Sequence, residues 1–198
     1  MLICASSTAS AISVSDPTGD VWYGDESGPI AQVDNRSNVD ITQLSAIVNG
    51  DSVTLSLTVA GTIEISPDVL YIVFVNSTDT QYSIALNNDN GEGVSMNRNT
   101  KVTKYTNGSV TVTGNTLSAV FNLDGSTSMV VLSALTQAVK RYSTDRLAYV
   151  WYDNASSMNI KDSTDTNTKT NGKNTPGFES LPVIAAVTIT VILLKRRY

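Results

Sequence analysis

The chain has 198 residues, no histidine and a single cysteine, Cys4. Eighteen acidic side chains against thirteen basic ones give a formal net charge of −5. That composition removes Ser-His-Asp catalysis, histidine zinc sites and a histidine general base, and it lacks the basic footprint on which nucleic-acid binding depends. The charge is uneven along the chain. Residues 1–95 carry twelve acidic side chains and one basic one, Arg36, whereas residues 96–174 carry five acidic and nine basic.

The first eleven residues read MLICASSTASA, and Ala9-Ser10-Ala11 fits the small-residue pattern of a secretory cleavage site. Residues 1–11 are therefore expected to be the tail of a signal peptide whose start lies upstream of Met1. If Ala11 ends that signal, the mature chain has no cysteine, and disulfides, thiol catalysis and cysteine metal sites are lost with it. Residues 12–154 leave room for one domain of ordinary size.

The domain opens on a dense acidic stretch: Asp16-Pro17-Thr18-Gly19-Asp20, then Asp25-Glu26, Asp34 and Asp40. Hard oxygen ligands in loops suit calcium, which takes carboxylates and backbone carbonyls together. Asp16, Asp20, Asp25 and Asp34 are the candidate calcium ligands, and Gly19 would let the chain turn around an ion. The competing expectation is a solvated acidic loop in which Asp16 or Asp20 makes an Asx-turn. Two aromatic pairs, Trp22-Tyr23 and Trp151-Tyr152, flank the domain. Neighbours in a strand face opposite sides, so one of each pair belongs to the core and the other faces out. Trp22, Trp151 and Tyr152 are the candidate platform for the apolar faces of sugar rings.

Alternation of apolar and polar residues dominates the middle of the chain. Val53, Leu55, Leu57 and Val59 point one way; Leu117, Ala119, Phe121 and Leu123 repeat the pattern, as do Val110 with Val112, and Tyr82, Ile84 and Leu86. Leu70 to Val75 is apolar on both faces and reads as a central, buried strand. Asn49-Gly50, Asn107-Gly108 and Gly114-Asn115 supply turn residues that accept positive φ. Further strands are expected near 40–48, 129–134 and 146–153, with one short helix-like stretch from Ser133 to Arg141. The predicted fold is all-β: an antiparallel β-sandwich of about 9–11 strands, of jelly-roll kind. Val53, Leu55, Leu57, Tyr71, Val73, Val75, Ile84, Phe121 and Val131 are its expected core. No Gly-x-Ser-x-Gly elbow and no phosphate-cradling loop occurs, so a non-catalytic role is expected.

Residues 155–175 are almost wholly Ser, Thr, Asn, Asp, Lys and Gly, too polar to order themselves. They read as a disordered stalk. Asn35, Asn76, Asn107 and Asn154 each begin an Asn-x-Ser/Thr sequon, a glycosylation acceptor in a translocated chain. The chain then runs through Pro176-Gly177-Phe178 and an uncharged apolar segment, Leu181 to Leu194, to Lys195-Arg196-Arg197-Tyr198. As a helix those 14 apolar residues would span about 21 Å, against the ~30 Å of a bilayer core. The basic cluster should stay on the cytoplasmic side.

This ending resembles the archaeal PGF-CTERM sorting signal over Pro176 to Tyr198. The resemblance implies that Pro176, Gly177 and Phe178 form the recognition site of an archaeosortase. That enzyme removes the hydrophobic helix, and the protein passes to a lipid anchor on the outer face of the cell membrane. The alternative is an ordinary C-terminal transmembrane helix; both place the domain outside. A second resemblance, over residues 12–154, rests on Asp16-Pro17-Thr18-Gly19-Asp20-Val21 and on Asn38-Val39-Asp40-Ile41. It is to extracellular DOMON-like sandwiches, a superfamily with haem-binding and sugar-binding members. The haem members use a Met and a His, and this chain has no His. The sugar-binding members often carry Ca²⁺. The expected function is thus a surface-anchored glycan- or envelope-binding module, with a purely structural envelope protein or a haem/redox domain as alternatives.

Overall fold

The computed structural model describes residues 10–25, 27–87, 90–97, 103–105, 108–123, 129–143 and 146–157. The chain divides into two units, residues 1–161 and 162–198, and every described residue belongs to the first. Residues 158–175 of the stalk expected over 155–175, the Pro176-Gly177-Phe178 motif, the apolar run and Lys195-Arg196-Arg197 lie outside the described residues, as do Cys4 and Asn107. Among the described residues, no helix is long and apolar enough to cross a membrane.

Among the described residues, alternation along the sequence becomes thirteen strands in two antiparallel sheets, against the 9–11 expected. The five-stranded sheet has the order β1 (Ser10–Ser15), β4 (Ile41–Asn49), β5 (Ser52–Val59), β11 (Thr116–Asn122) and β10 (Gly108–Thr113). The eight-stranded sheet runs β3 (Gly28–Val33), β2 (Val21–Asp25), β13 (Arg146–Ser156), β12 (Met129–Ser143), β6 (Val69–Ser77), β7 (Thr80–Asn87), β8 (Asn90–Asn97) and β9 (Thr103–Tyr105). Two-residue turns close β4–β5 and β10–β11. Gly50 and Gly114 occupy them at φ 64° and 59°, the left-handed region that only glycine adopts without strain.

The inward faces of the two sheets make one apolar core, as a sandwich requires. Leu55, Leu57, Leu117 and Phe121 from the smaller sheet meet Tyr71, Val73, Val75, Tyr82, Ile84 and Leu132 from the larger, all buried. Tyr82 and Phe121 touch across it, ring centroids 5.4 Å apart. Leu70 and Ile72, on the other face of β6, are buried too, so that strand is covered on both sides as its composition predicts. Eight of the nine expected core residues are buried. The exception is Val131, half-exposed, whose neighbour Leu132 takes the inward place. A register shift between Met129 and Val131 sets that phase.

The helix-like stretch Ser133–Arg141 is instead the body of β12. Its residues pair on one side with β6 and on the other with β13. The two-residue period wins because Leu132, Ala134, Thr136 and Ala138 fall together on the buried face. The stretch has good local helix formers, but central sheet pairing overrides that weak preference.

A candidate metal centre and two aromatic faces

Three connections cross between the sheets at one end of the fold: β1 to β2, β3 to β4, and β5 to β6. The β3–β4 crossover carries Asn38-Val39-Asp40-Ile41, and Val39, Asp40 and Ile41 are all buried. Its backbone is held by one row of side chains across the larger sheet. Tyr71, Thr136 and Asp153 are register partners on β6, β12 and β13. The Tyr71 hydroxyl donates to the Asn38 carbonyl at 2.9 Å. The Thr136 hydroxyl donates to the Val39 carbonyl. The Asp153 carboxylate accepts the Ile41 N–H at 2.7 Å. Three strands thus satisfy three backbone polar groups between Asn38 and Ile41 that burial would otherwise leave unpaired.

Asp153 also faces the β1–β2 crossover. One carboxylate oxygen from each of Asp16, Asp20 and Asp153 lies within 4.8 Å of the other two. Asp40 adjoins them: its Oδ2 accepts the Gly19 N–H at 2.8 Å, between Asp16 and Asp20 in the chain. Gly19 sits at φ 80°, so the turn that presents this N–H depends on glycine. Asp16 Oδ2, Asp20 Oδ1 and Asp40 Oδ1 are buried and have no hydrogen-bond partner.

Crowded, half-desolvated carboxylates hold their protons. Burial, reinforced by the charges of Asp20 and Asp40, pushes Asp16 up to about 7. Burial pushes Asp153 up to about 8; the Ile41 N–H opposes this, and Asp16 and Asp20 add to it. Asp20 is raised as well, first by burial, with its own backbone N–H opposing and Asp40 adding.

Of the four residues expected to form a calcium site, the structure brings Asp16 and Asp20 together and leaves Asp25 and Asp34 apart from the triad. Asp25 ends β2 and makes the Asx-turn that the sequence offered to Asp16 or Asp20. Its Oδ1 accepts both the N–H and the hydroxyl of Ser27, which lowers its pKa. Asp34 is exposed. Asp153 and Asp40 replace them. Asp153 escapes sequence reasoning because it lies 133 positions beyond Asp20. Its one signal is a carboxylate in the inward register of a strand that otherwise presents Tyr149, Trp151 and Ala155.

The aromatic pairs divide as strand geometry demands, but the expected platform residues do not share a face. Tyr23 and Trp151 are register partners facing inward, with ring centroids 5.5 Å apart, and Tyr149 joins them at 5.4 Å from Tyr23. The Arg36 guanidinium lies 4.0 Å from the Trp151 ring centroid. Trp151 therefore packs against the core and is roofed by a cation. Trp22 and Tyr152 are the outward members. They oppose each other directly across β2 and β13, both half-exposed. Asn35 is exposed in the β3–β4 crossover, whereas Asn76 and Asn154 are half-buried within β6 and β13, and Asn76 Oδ1 is buried. Compared with family models, curated proteins and solved structures, the chain matches none.

Proposed function

We propose that this chain is a non-catalytic binding module displayed on the outer face of an archaeal cell membrane, its ligand a glycan or another envelope polymer. The reading joins the PGF-type ending, which would be cut by an archaeosortase and exchanged for a lipid anchor, to a DOMON-like ectodomain. The observation that carries ligand binding is the outward pair Trp22 and Tyr152. Opposed side chains on an antiparallel pair have their Cβ atoms about 4.5–5.5 Å apart, so these two aromatic side chains stand as neighbours on the outer face, where a sugar ring could stack.

Pull-down on envelope polysaccharide tests this. Trp22→Ala and Tyr152→Ala should each weaken retention and leave the melting temperature nearly unchanged. Trp151→Ala should instead lower the melting temperature, because Trp151 packs inward. Retention equal to wild type in both outward variants would remove the platform and favour a structural envelope protein.

A further inference from the structure

We propose that Asp16, Asp20 and Asp153, backed by Asp40, bind one hard divalent cation of the calcium class, and that the ion fastens the β1–β2 crossover to β13.

The spacing comes first. Two oxygens bound to one calcium at about 2.3–2.6 Å lie no more than about 5 Å apart. The three carboxylates offer atoms within 4.8 Å of one another. Asp40 is the second, independent observation. It is 3% exposed, and its Oδ1 has no hydrogen-bond partner. Its other oxygen is tied to Gly19, which aims the carboxylate at the loop between Asp16 and Asp20. A buried carboxylate oxygen with nothing to accept is costly and calls for a cation or a proton. Arg36, the one basic residue of the first 95, is stacked on Trp151.

Ligand chemistry selects the ion. An all-oxygen set in a chain without histidine suits a hard cation and not zinc or copper. Asp16 and Asp20 come from an irregular loop and are half-exposed, so water and loop carbonyls can complete six to eight irregular positions. Calcium accepts such a shell, whereas magnesium requires a near-ideal octahedron. The site also has a mechanical consequence. Asp16 and Asp20 belong to the crossover leaving the smaller sheet, Asp153 to a central strand of the larger, and Asp40 to the crossover returning. A cation between them joins elements that the chain connects only through long segments. This inference is independent of the Trp22–Tyr152 surface, and either can fail alone.

The experiment uses the full chain, stripped with chelator, and titrates it with Tb³⁺. Trp151 stands two residues before Asp153 on the same strand face, so bound Tb³⁺ should luminesce on tryptophan excitation. The expected result is saturation at one ion per chain, with displacement by Ca²⁺. Asp20→Asn, half-exposed and tolerable to the fold, should weaken binding roughly tenfold or more, and Asp16→Asn should do likewise. Asp25→Asn, whose carboxylate is taken up by Ser27, should leave it unchanged. Circular dichroism confirms that each variant is folded. A folded wild type without saturable binding would overturn the site. So would Asp20→Asn binding as tightly as wild type.

Discussion

The Asp153 carboxylate accepts the backbone N–H of Ile41 at 2.7 Å, between residues 112 positions apart in the chain. Its other oxygen accepts the N–H of Asn154 at 2.8 Å. Asp153 therefore starts β4 as well as facing the carboxylate cluster. Asp153→Ala should leave the buried Ile41 N–H unpaired, at about 1–3 kcal/mol. Asp153→Asn keeps one acceptor oxygen but sets its amide against a second donor, so its loss should be smaller. Urea unfolding with an unchanged m-value is the measurement; equal stability of Asp153→Ala and wild type would refute the assignment.

The chelated protein should grow more stable as pH falls. Folding raises Asp16 to about 7 and Asp153 to about 8 from an ordinary 3.8, and raises Asp20. A carboxyl with a raised folded value binds its proton more tightly in the native state. The penalty for ionising it is complete above the folded value, shrinks on descending through the window, and vanishes below the unfolded value. The groups facing one another are Asp16, Asp20, Asp40 and Asp153, with Asp34 beside Gly19 and Arg36 on Trp151. In chelator, the melting temperature should be higher near pH 5 than near pH 8. The increment from added Ca²⁺ should be largest near pH 8, where the ion has fewer protons to displace. A chelated protein that melts lower near pH 5 would contradict the cluster.

Asp20→Asn should change sign with the solution. Without a cation the substitution removes one of several mutually repelling carboxylates, so the variant should melt above wild type at pH 8. With saturating Ca²⁺ the wild type gains the binding free energy and the variant gains less, so the order should reverse. A plain packing role for Asp20 predicts the same order in both solutions, and paired melts decide between them.

Range along the chain decides which features are legible in the residues alone. Period-two alternation locates β5, β11 and β7, and the turns at Gly50 and Gly114, because each signal lies within a few residues. Ser133–Arg141 misleads because local propensity favours a helix there, while the deciding partners, β6 and β13, lie far off in the chain. The acidic site is half legible. Asp16 and Asp20 stand close in sequence, but Asp153 joins them only once β13 pairs beside β2. Asp25 looks equivalent to Asp20 and differs because Ser27 satisfies it locally. The aromatic pairs are readable as one-in, one-out; which member faces in depends on the phase of Val21 and Ala155, both buried.

Tyr71 and Thr136 should prove energetically coupled, because they hold adjacent carbonyls of the same crossover. The Tyr71 hydroxyl donates to the Asn38 carbonyl and accepts the Glu64 N–H, both at 2.9 Å. It thereby joins the β3–β4 crossover to the β5–β6 connection. Burial pushes that phenol up to about 12, so it remains a neutral donor across the accessible range. Tyr71→Phe leaves both backbone groups to find other partners, and Thr136→Val does the same to the Val39 carbonyl. Each should cost about 1–3 kcal/mol. Once one tether is cut, Asn38 and Val39 can shift and recover solvent together, so the second cut removes less. The double variant should therefore lose less than the sum of the single losses, by about 0.5 kcal/mol or more. Strict additivity in a urea-denaturation cycle would mean that the two hydroxyls act on independent segments, and the row from Tyr71 to Asp153 would not be a unit.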